Sequence, residues 1–327
     1  MLSPSDLLHL PYTPDLTEGG IAYALRSLTY TFEREGTLSV SGLRRIIANT
    51  AVELAFRRHL ASQNIPYEVK AATPFTDRER FDVTLNGQRC DIKSFFISNR
   101  KQVEQIRRNP ALLLNTPALV PSDTHAGEGH TYKDLYLFAY VTGLVAASQT
   151  ELYKVIASKQ PHYLVYIPPS AWRRPHIWNP LGALTLKSES EEELLVEVNG
   201  QDRAREAKRV TVSLPPKVKV RVEESFHSIT SLHVRRIPEA RVGLRCEAFS
   251  DPLLIPPAEW SNLWVYGSDI FLLGYMSYEE FGQRAKTLLP DSKVFQYERT
   301  KTKNLYVQAA ELKPVGKLWQ QGKSSVP

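Results

Sequence analysis

The sequence predicts an α/β fold that is interrupted by a β-rich module, and three patterns support this prediction. A long stretch with helical spacing, residues 41–63, precedes two short alternating segments on either side of Asn86-Gly87. Apolar strands and helical segments then alternate as far as Pro168-Pro169. From there to about Pro257, short runs with a period of two residues and frequent prolines take their place.

The individual elements follow from periodicity and from turn residues. In the long helix, Leu43, Ile46, Ile47, Leu54 and Leu60 recur at helical spacing, and Pro66 follows its end. The predicted helices cover residues 20–31, 41–63, 101–107, 150–158 and 278–289. The predicted strands cover residues 80–85, 88–95, 134–141, 162–167, 268–275 and 304–309. A loop rich in Pro, Gly and His is expected between residues 109 and 131.

These elements divide the chain into four segments. Residues 1–35 are expected to form an N-terminal helical arm, and residues 36–170 to form the core. Residues 171–257 form the β-rich insertion, and residues 258–327 complete the core.

The composition places few limits on function. With 42% hydrophobic and 23% charged residues, the chain is ordinary for a globular protein. Lys and Arg number 41 against 35 Asp and Glu, and the net charge of +6 suits a polyanionic partner without requiring one. Because only Cys90 and Cys246 are present, neither a disulfide framework nor a zinc knuckle is expected.

A cytoplasmic location and no membrane association are expected. The N-terminus lacks the basic start and unbroken apolar run of a signal peptide. The longest apolar stretch, residues 135–147, is shorter than the roughly 20 residues that span a bilayer, and it is typical of a buried strand running into a loop.

The segment around Asn86-Gly87 carries the most specific local prediction. An Asn-Gly pair between alternating residues favours a β-hairpin with a two-residue turn. Counting outward from that turn places Asp82 opposite Asp91, with Cβ atoms roughly 5 Å apart. Because side chains alternate along a strand, Lys93 is expected on the same polar face as Asp91.

Two opposed carboxylates repel each other, so a bound cation would stabilise the pair. Oxygen ligands suit Mg²⁺. A divalent ion beside an ammonium group can catalyse the hydrolysis of a phosphodiester bond. The alternatives at this point are a solvated hairpin face with scattered charges and a bulged turn with another register.

This pattern resembles the PD-(D/E)XK nuclease superfamily, which has the restriction-endonuclease-like fold. Asp82 matches the first acidic position and Asp91-Ile92-Lys93 matches the second half of the motif, while Phe81 stands where the family name has proline. The resemblance implies a central mixed β-sheet flanked by helices. It also implies Mg²⁺ as cofactor, with Mn²⁺ as a substitute, and cleavage of double-stranded DNA by attack of a metal-activated water.

The resemblance also suggests a role for Glu53, since an acidic residue on the preceding helix often completes the site of this family. In this reading Asp82, Asp91 and Glu53 bind the metal, and Lys93 assists the attacking water. A capping box formed by Thr50 and Glu53 is the alternative, in which Glu53 would only satisfy a backbone N–H.

Polar residues after the hairpin are candidates for contacts with the phosphate backbone of a nucleic acid. They are Arg100, Lys101, Gln105, Arg107 and Arg108. A solvated helix face is the alternative for each of them. The loop residues His125, Glu128 and His130 are expected to form a polar loop near the active site rather than a metal cluster.

The β-rich insertion is expected to recognise DNA or to bind a partner, either another protein or a second copy of the chain. Its basic residues alternate, as in Lys217, Lys219 and Arg221, so those of one strand share a face. Trp172, Trp178, Trp260 and Trp264 are expected to be core or interface anchors. Three further functions stay open: processing of RNA or single strands, a nucleic-acid-binding or assembly subunit without turnover, and an accessory protein whose β-rich module binds protein while the nuclease fold serves only as a scaffold.

Overall fold

The computed structural model describes residues 2–35, 39–69, 82–127 and 129–323, and within them the chain has a mixed α/β fold. The helices are α1 Pro14–Glu35, α2 Val40–Ser62, α3 Arg100–Arg108, α4 Ser122–His125, α5 Gln149–Ala157, α6 Ser170–Arg173, α7 Tyr278–Arg284 and α8 Gly316–Lys323. The early strands are β1 Leu8–Pro11, β2 Val83–Leu85, β3 Gln88–Ile97, β4 Pro117–Pro121, β5 Leu135–Leu144 and β6 Leu164–Tyr166. Then follow β7 Leu184–Ser188, β8 Leu194–Gln201, β9 Ala207–Leu214, β10 Lys219–Val222, β11 Ser228–Val234, β12 Val242–Arg245 and β13 Leu253–Ile255. The last are β14 Ser261–Asn262, β15 Tyr266–Ser277, β16 Lys286–Leu288 and β17 Asn304–Gln308.

The chain divides into two compact units. The first consists of Met1–Gly20, Arg45–Leu144 and Val265–Pro327. The second consists of Ile21–Arg44 and Val145–Trp264. The second unit therefore extends beyond residues 171–257 of the expected insertion on both sides, and it also takes in residues from the expected N-terminal arm.

A five-stranded mixed sheet forms the centre of the first unit, with the strand order β1-β15-β5-β3-β2. β3 and β5 run parallel, and the other neighbouring pairs are antiparallel. β5 is buried along nearly its whole length, as its continuous apolar sequence predicts for a central strand that is covered on both faces.

The two faces of this sheet carry different layers. Cys90 and Ile92 of β3 belong to a core cluster with the apolar residues of α2. Tyr136 and Phe138 of β5 belong to a second cluster, which contains apolar residues of α3 and α7. Side chains alternate along β3, so its residues at positions 91 and 93 lie on the face opposite α2.

A separate three-stranded sheet, ordered β16-β17-β4, also belongs to the first unit. The expected loop at residues 109–131 is therefore wrong in part, because it contains a 3₁₀ helix, Pro110–Asn115, as well as β4 and α4. The prolines at both ends of β4 led to that error, and they are tolerated because β4 is an edge strand. The helix expected to reach residue 289 ends at Arg284 and gives way to β16.

The second unit has two sheets that share one hydrophobic core. Their strand orders are β10-β7-β12-β13 and β14-β6-β11-β8-β9. Trp172 and Trp260 are buried in this core, which confirms the prediction that they act as anchors. No helix in the described residues is both long enough and apolar enough to pass through a bilayer.

Replacement of Gly87 by alanine is expected to destabilise the protein through the turn alone. Asn86 and Gly87 have φ angles of 49° and 74°, which are typical of a type I′ turn. A Cβ on Gly87 would meet nothing within 4 Å, so the expected cost of about 1–2 kcal/mol comes from the left-handed backbone. Urea unfolding measures it, and Gly316→Ala is the matched control because its Cβ would also be free of contacts at an ordinary φ. Equal stability of the two variants would contradict this account of the turn.

Candidate active site

The hairpin brings Asp82 beside the start of β3. The pairs Leu85–Gln88 and Val83–Cys90 confirm the predicted register. The ladder ends at Val83, however, so the expected direct strand pairing of Asp82 with Asp91 is wrong. Asp82 instead accepts a hydrogen bond at Oδ2 from the backbone N–H of Ile92, at 2.6 Å. In this position the Asp82 carboxylate is within electrostatic range of Asp91.

Asp82 is held in an environment that disfavours its charge. Burial and the negative charge of Asp91 raise the pKa of Asp82 to about 7. The Ile92 N–H, Lys93 and Arg57 act in the opposite direction but do not outweigh these two effects. A cation placed between the carboxylates would remove the repulsion.

Lys93 forms an ion pair with Asp91, with Nζ 2.6 Å from Oδ2. The two residues are on the same face of β3, as predicted, because they are two positions apart. Their side chains are 18% and 14% exposed, so the pair is largely shielded from water but can still be reached. The Lys93 ammonium also lies 5.7 Å from the centre of the Tyr136 ring on β5.

Glu53 is linked to the Asp82 segment by Arg57, a residue that is not among the predicted site residues. Arg57 Nη2 lies 3.6 Å from Glu53 Oε2 and donates a hydrogen bond of 3.1 Å to the carbonyl of Asp82. The spacing of four residues along α2 was the signal that could have revealed this pair. Because α2 begins at Val40, Glu53 is in its interior, and the capping-box alternative is wrong.

The metal ligands predicted from the sequence are not gathered into one group. Among the described residues, no group of three or more His, Cys, Asp or Glu side chains could hold a metal ion. Asp82 and Asp91 are a pair of oxygen donors, and this chemistry fits Mg²⁺, which commonly takes one or two carboxylates and completes its shell with water and phosphate oxygens. Glu53 does not join them as a third direct ligand in this arrangement.

An aromatic and histidine cluster borders the site at Tyr136, the strand partner of Asp91. The Tyr136 hydroxyl lies 3.1 Å from His125 Nδ1. The rings of His125 and His130 both stack on Tyr278, with centroid distances of 4.4 and 4.7 Å. Burial, followed by the charge of Asp91, raises the pKa of Tyr136 and keeps its hydroxyl protonated.

Arg89 and Asp134 form a second, separate ion pair next to this cluster. Arg89 donates two hydrogen bonds to the Asp134 carboxylate, at 2.9 and 2.6 Å. Burial opposes the ionisation of Asp134, but hydrogen bonds from Arg89 and Thr131 outweigh it and lower the pKa of Asp134. The negative charge of Asp134 is thus stabilised by its neighbours, in contrast to that of Asp82.

The five residues predicted to contact nucleic acid lie on or at the start of α3, and all five are exposed. Arg107 donates a hydrogen bond to the Ser268 hydroxyl and lies 3.7 Å from an Asp269 carboxylate oxygen. Asp269 is at the end of the sheet where β3 finishes, whereas Asp91 is near the start of β3. At about 3.3 Å per residue, this end of the sheet, where Arg107 lies, is roughly 20 Å from Asp91.

Comparisons with protein-family models, with curated proteins and with solved structures found no match to this chain. The function is therefore inferred from the sequence motif and from the geometry and electrostatics of the site.

Replacement of Asp82 by asparagine is expected to change how stability depends on pH. Because the pKa of Asp82 is raised from 3.8 to about 7 on folding, ionisation destabilises the folded state as pH rises between about 4 and 7. Without divalent metal, the stability of Asp82→Asn relative to the wild type should therefore increase over this range and level off above it.

Urea unfolding in EDTA at a series of pH values measures this difference. Asp251→Asn, which changes an exposed carboxylate, is the matched control. A difference between Asp82→Asn and the wild type that does not vary with pH would contradict the environment described for Asp82.

Proposed function

We propose that this protein is a Mg²⁺-dependent nuclease that hydrolyses phosphodiester bonds in double-stranded DNA. The observation that carries the proposal is the convergence of Asp82, Asp91 and Lys93 at the start of β3. Asp82 is fixed by the Ile92 N–H, and Asp91 is fixed by Lys93. Two carboxylates that repel each other beside an ammonium group form a site suited to a divalent ion and a phosphate.

Each residue has a separate task in this proposal. Asp82 and Asp91 bind the ion, and Arg57 holds the backbone of Asp82 in place through its carbonyl. Lys93 is close enough to Asp91 to orient a water molecule or to stabilise negative charge that develops on the phosphate. Glu53 acts at a distance, through Arg57 or through a bridging water.

When bound, Mg²⁺ would polarise the scissile phosphate and promote the ionisation of water. The protein contributes a partly buried setting around Asp91 and Lys93, in which electrostatic interactions are stronger than in bulk water. The Tyr136 ring forms one wall of that setting.

The fold supports the same proposal. A mixed five-stranded sheet with helices on both faces is compatible with the restriction-endonuclease-like core that the motif suggests. The strand that carries Asp91 and Lys93 is an internal strand of this sheet, and these two residues pair with β5, just beyond the point where pairing with β2 ends. The choice of duplex DNA over RNA follows from the motif resemblance, and the test below separates the two.

Replacement of Asp91 by alanine is expected to abolish metal-dependent cleavage. The wild type should convert supercoiled plasmid to cut forms in Mg²⁺ or Mn²⁺ but not in EDTA. Asp91→Ala should lower the rate at least about a hundredfold, which is the scale of losing one group that stabilises a transition state. The exposed Asp251→Ala should cut normally. Equal cleavage by Asp91→Ala and the wild type would refute the site, and cleavage of RNA or single strands alone would refute duplex DNA as substrate.

Replacement of Glu53 by glutamine is expected to weaken metal dependence without removing activity. If Glu53 acts on the ion from outside its direct ligands, the Mg²⁺ concentration for half-maximal rate should rise about tenfold. Arg57→Gln is the matched comparison, since it breaks the same ion pair but keeps the carboxylate. An unchanged Mg²⁺ midpoint in Glu53→Gln, with equal rate losses in both variants, would limit Glu53 to holding Arg57.

A further inference from the structure

The four-stranded sheet of the second unit has a groove on the face that points away from the core. In β7, buried Leu184 and Leu186 alternate with the less buried Thr185 and Lys187. The same alternation holds in β10, β12 and β13, so one face of the sheet packs on the core and the other is accessible. The groove has a volume of about 700 Å³.

The strand register arranges the outer face in two rows. In the first row, Lys219 of β10 is opposite Lys187 of β7, which is opposite Gly243 of β12, which is opposite Leu254 of β13. In the second row, Arg221, Thr185 and Arg245 are opposite one another across β10, β7 and β12. Four cationic side chains therefore lie within two neighbouring rows.

These cations are not balanced by carboxylates. Two lysines directly opposite each other destabilise a strand pair unless an anion lies between them. In the described part of the chain, no ion pair involves Lys187, Lys219 or Arg245. Of the two carboxylates that line the groove, Glu189 is paired with Arg241 at 3.1 Å, which leaves Glu247 as the only other negative group among the lining residues described.

The opposite side of the groove is apolar. Leu254 is 48% exposed, and Phe249 lines the groove with its ring 4.7 Å from that of Trp172. Three inter-strand spacings separate β10 from β13, about 14 Å. A ligand that fills the groove thus has its anionic part over the cations of β10, β7 and β12, and its apolar, planar part against the apolar side chains near β13.

We propose that this groove binds single-stranded nucleic acid, with the phosphates on Lys187, Lys219 and Arg245 and the bases against Leu254 and Phe249. A cationic groove beside apolar and aromatic side chains is the usual arrangement for binding single strands. A duplex has its bases turned inward and cannot use the apolar side. This site is argued from the second unit alone and does not rest on the proposed cleavage.

Fluorescence anisotropy with a labelled single-stranded oligonucleotide tests the proposal. The assay uses the full chain with Asp91→Ala, in EDTA, so that cleavage plays no part in the signal. The double variant Lys187→Glu/Lys219→Glu should weaken binding at least about tenfold and should lower the slope of log affinity against log salt by about 1.4, or about 0.7 for each lost phosphate contact. Lys154→Glu/Lys159→Glu, two exposed lysines of the same unit outside the groove, is the charge-matched control.

A second variant fills the groove without changing its charge. A Cβ on Gly243 would lie 3.6 Å from Leu254 Cδ2, an ordinary contact, and the rest of the side chain of Gly243→Leu would extend into the groove that Gly243 lines. It should weaken single-strand binding about tenfold and leave duplex binding unchanged. Equal loss in the control pair, or unchanged single-strand affinity in both groove variants, would each overturn the proposal, whatever the result of the cleavage assay.

Discussion

The placement of β3 between β2 and β5 is the constraint on which the candidate active site depends. Because side chains alternate along a strand, packing Cys90 and Ile92 against α2 forces Asp91 and Lys93 onto the other face. The parallel pairing with β5 then places Tyr136 beside Asp91. A shift of one residue in the register would exchange the core and site faces. The large apolar core on the α2 side therefore also determines which side chains of β3 face the site.

The electrostatics of the site differ from those of ordinary ion pairs in the same unit. Asp134 is satisfied by Arg89 and Thr131, and its charge is stabilised by folding. Asp82 has one backbone donor and a like charge nearby, and folding opposes its charge. The ionised form of Asp82 thus lowers the stability of the folded state. Such a loss is expected at a residue whose role is to bind a ligand rather than to stabilise the fold.

Much of the first unit could be predicted from local sequence signals. The Asn-Gly turn fixed the hairpin register, and the helical spacing of apolar residues located α2 closely. What could not be predicted depends on contacts distant in sequence. Nothing local indicated that the Asp82 carboxylate would accept a bond from the Ile92 N–H, or that Arg57 would reach the Asp82 carbonyl. The face of the sheet on which α3 packs, next to Phe95 and Tyr140, likewise depends on contacts with other elements.

The prolines of β4 have a consequence for how the protein behaves at high concentration. An edge strand offers unpaired backbone groups to any other chain that can add to the sheet. Proline has no N–H to offer and fixes the backbone, and β4 carries one at each end, Pro117 and Pro121. Ala118, Leu119 and Val120 between the two prolines are buried, so this edge is protected against strand-to-strand aggregation by burial as well as by the prolines that obscured the strand in the sequence.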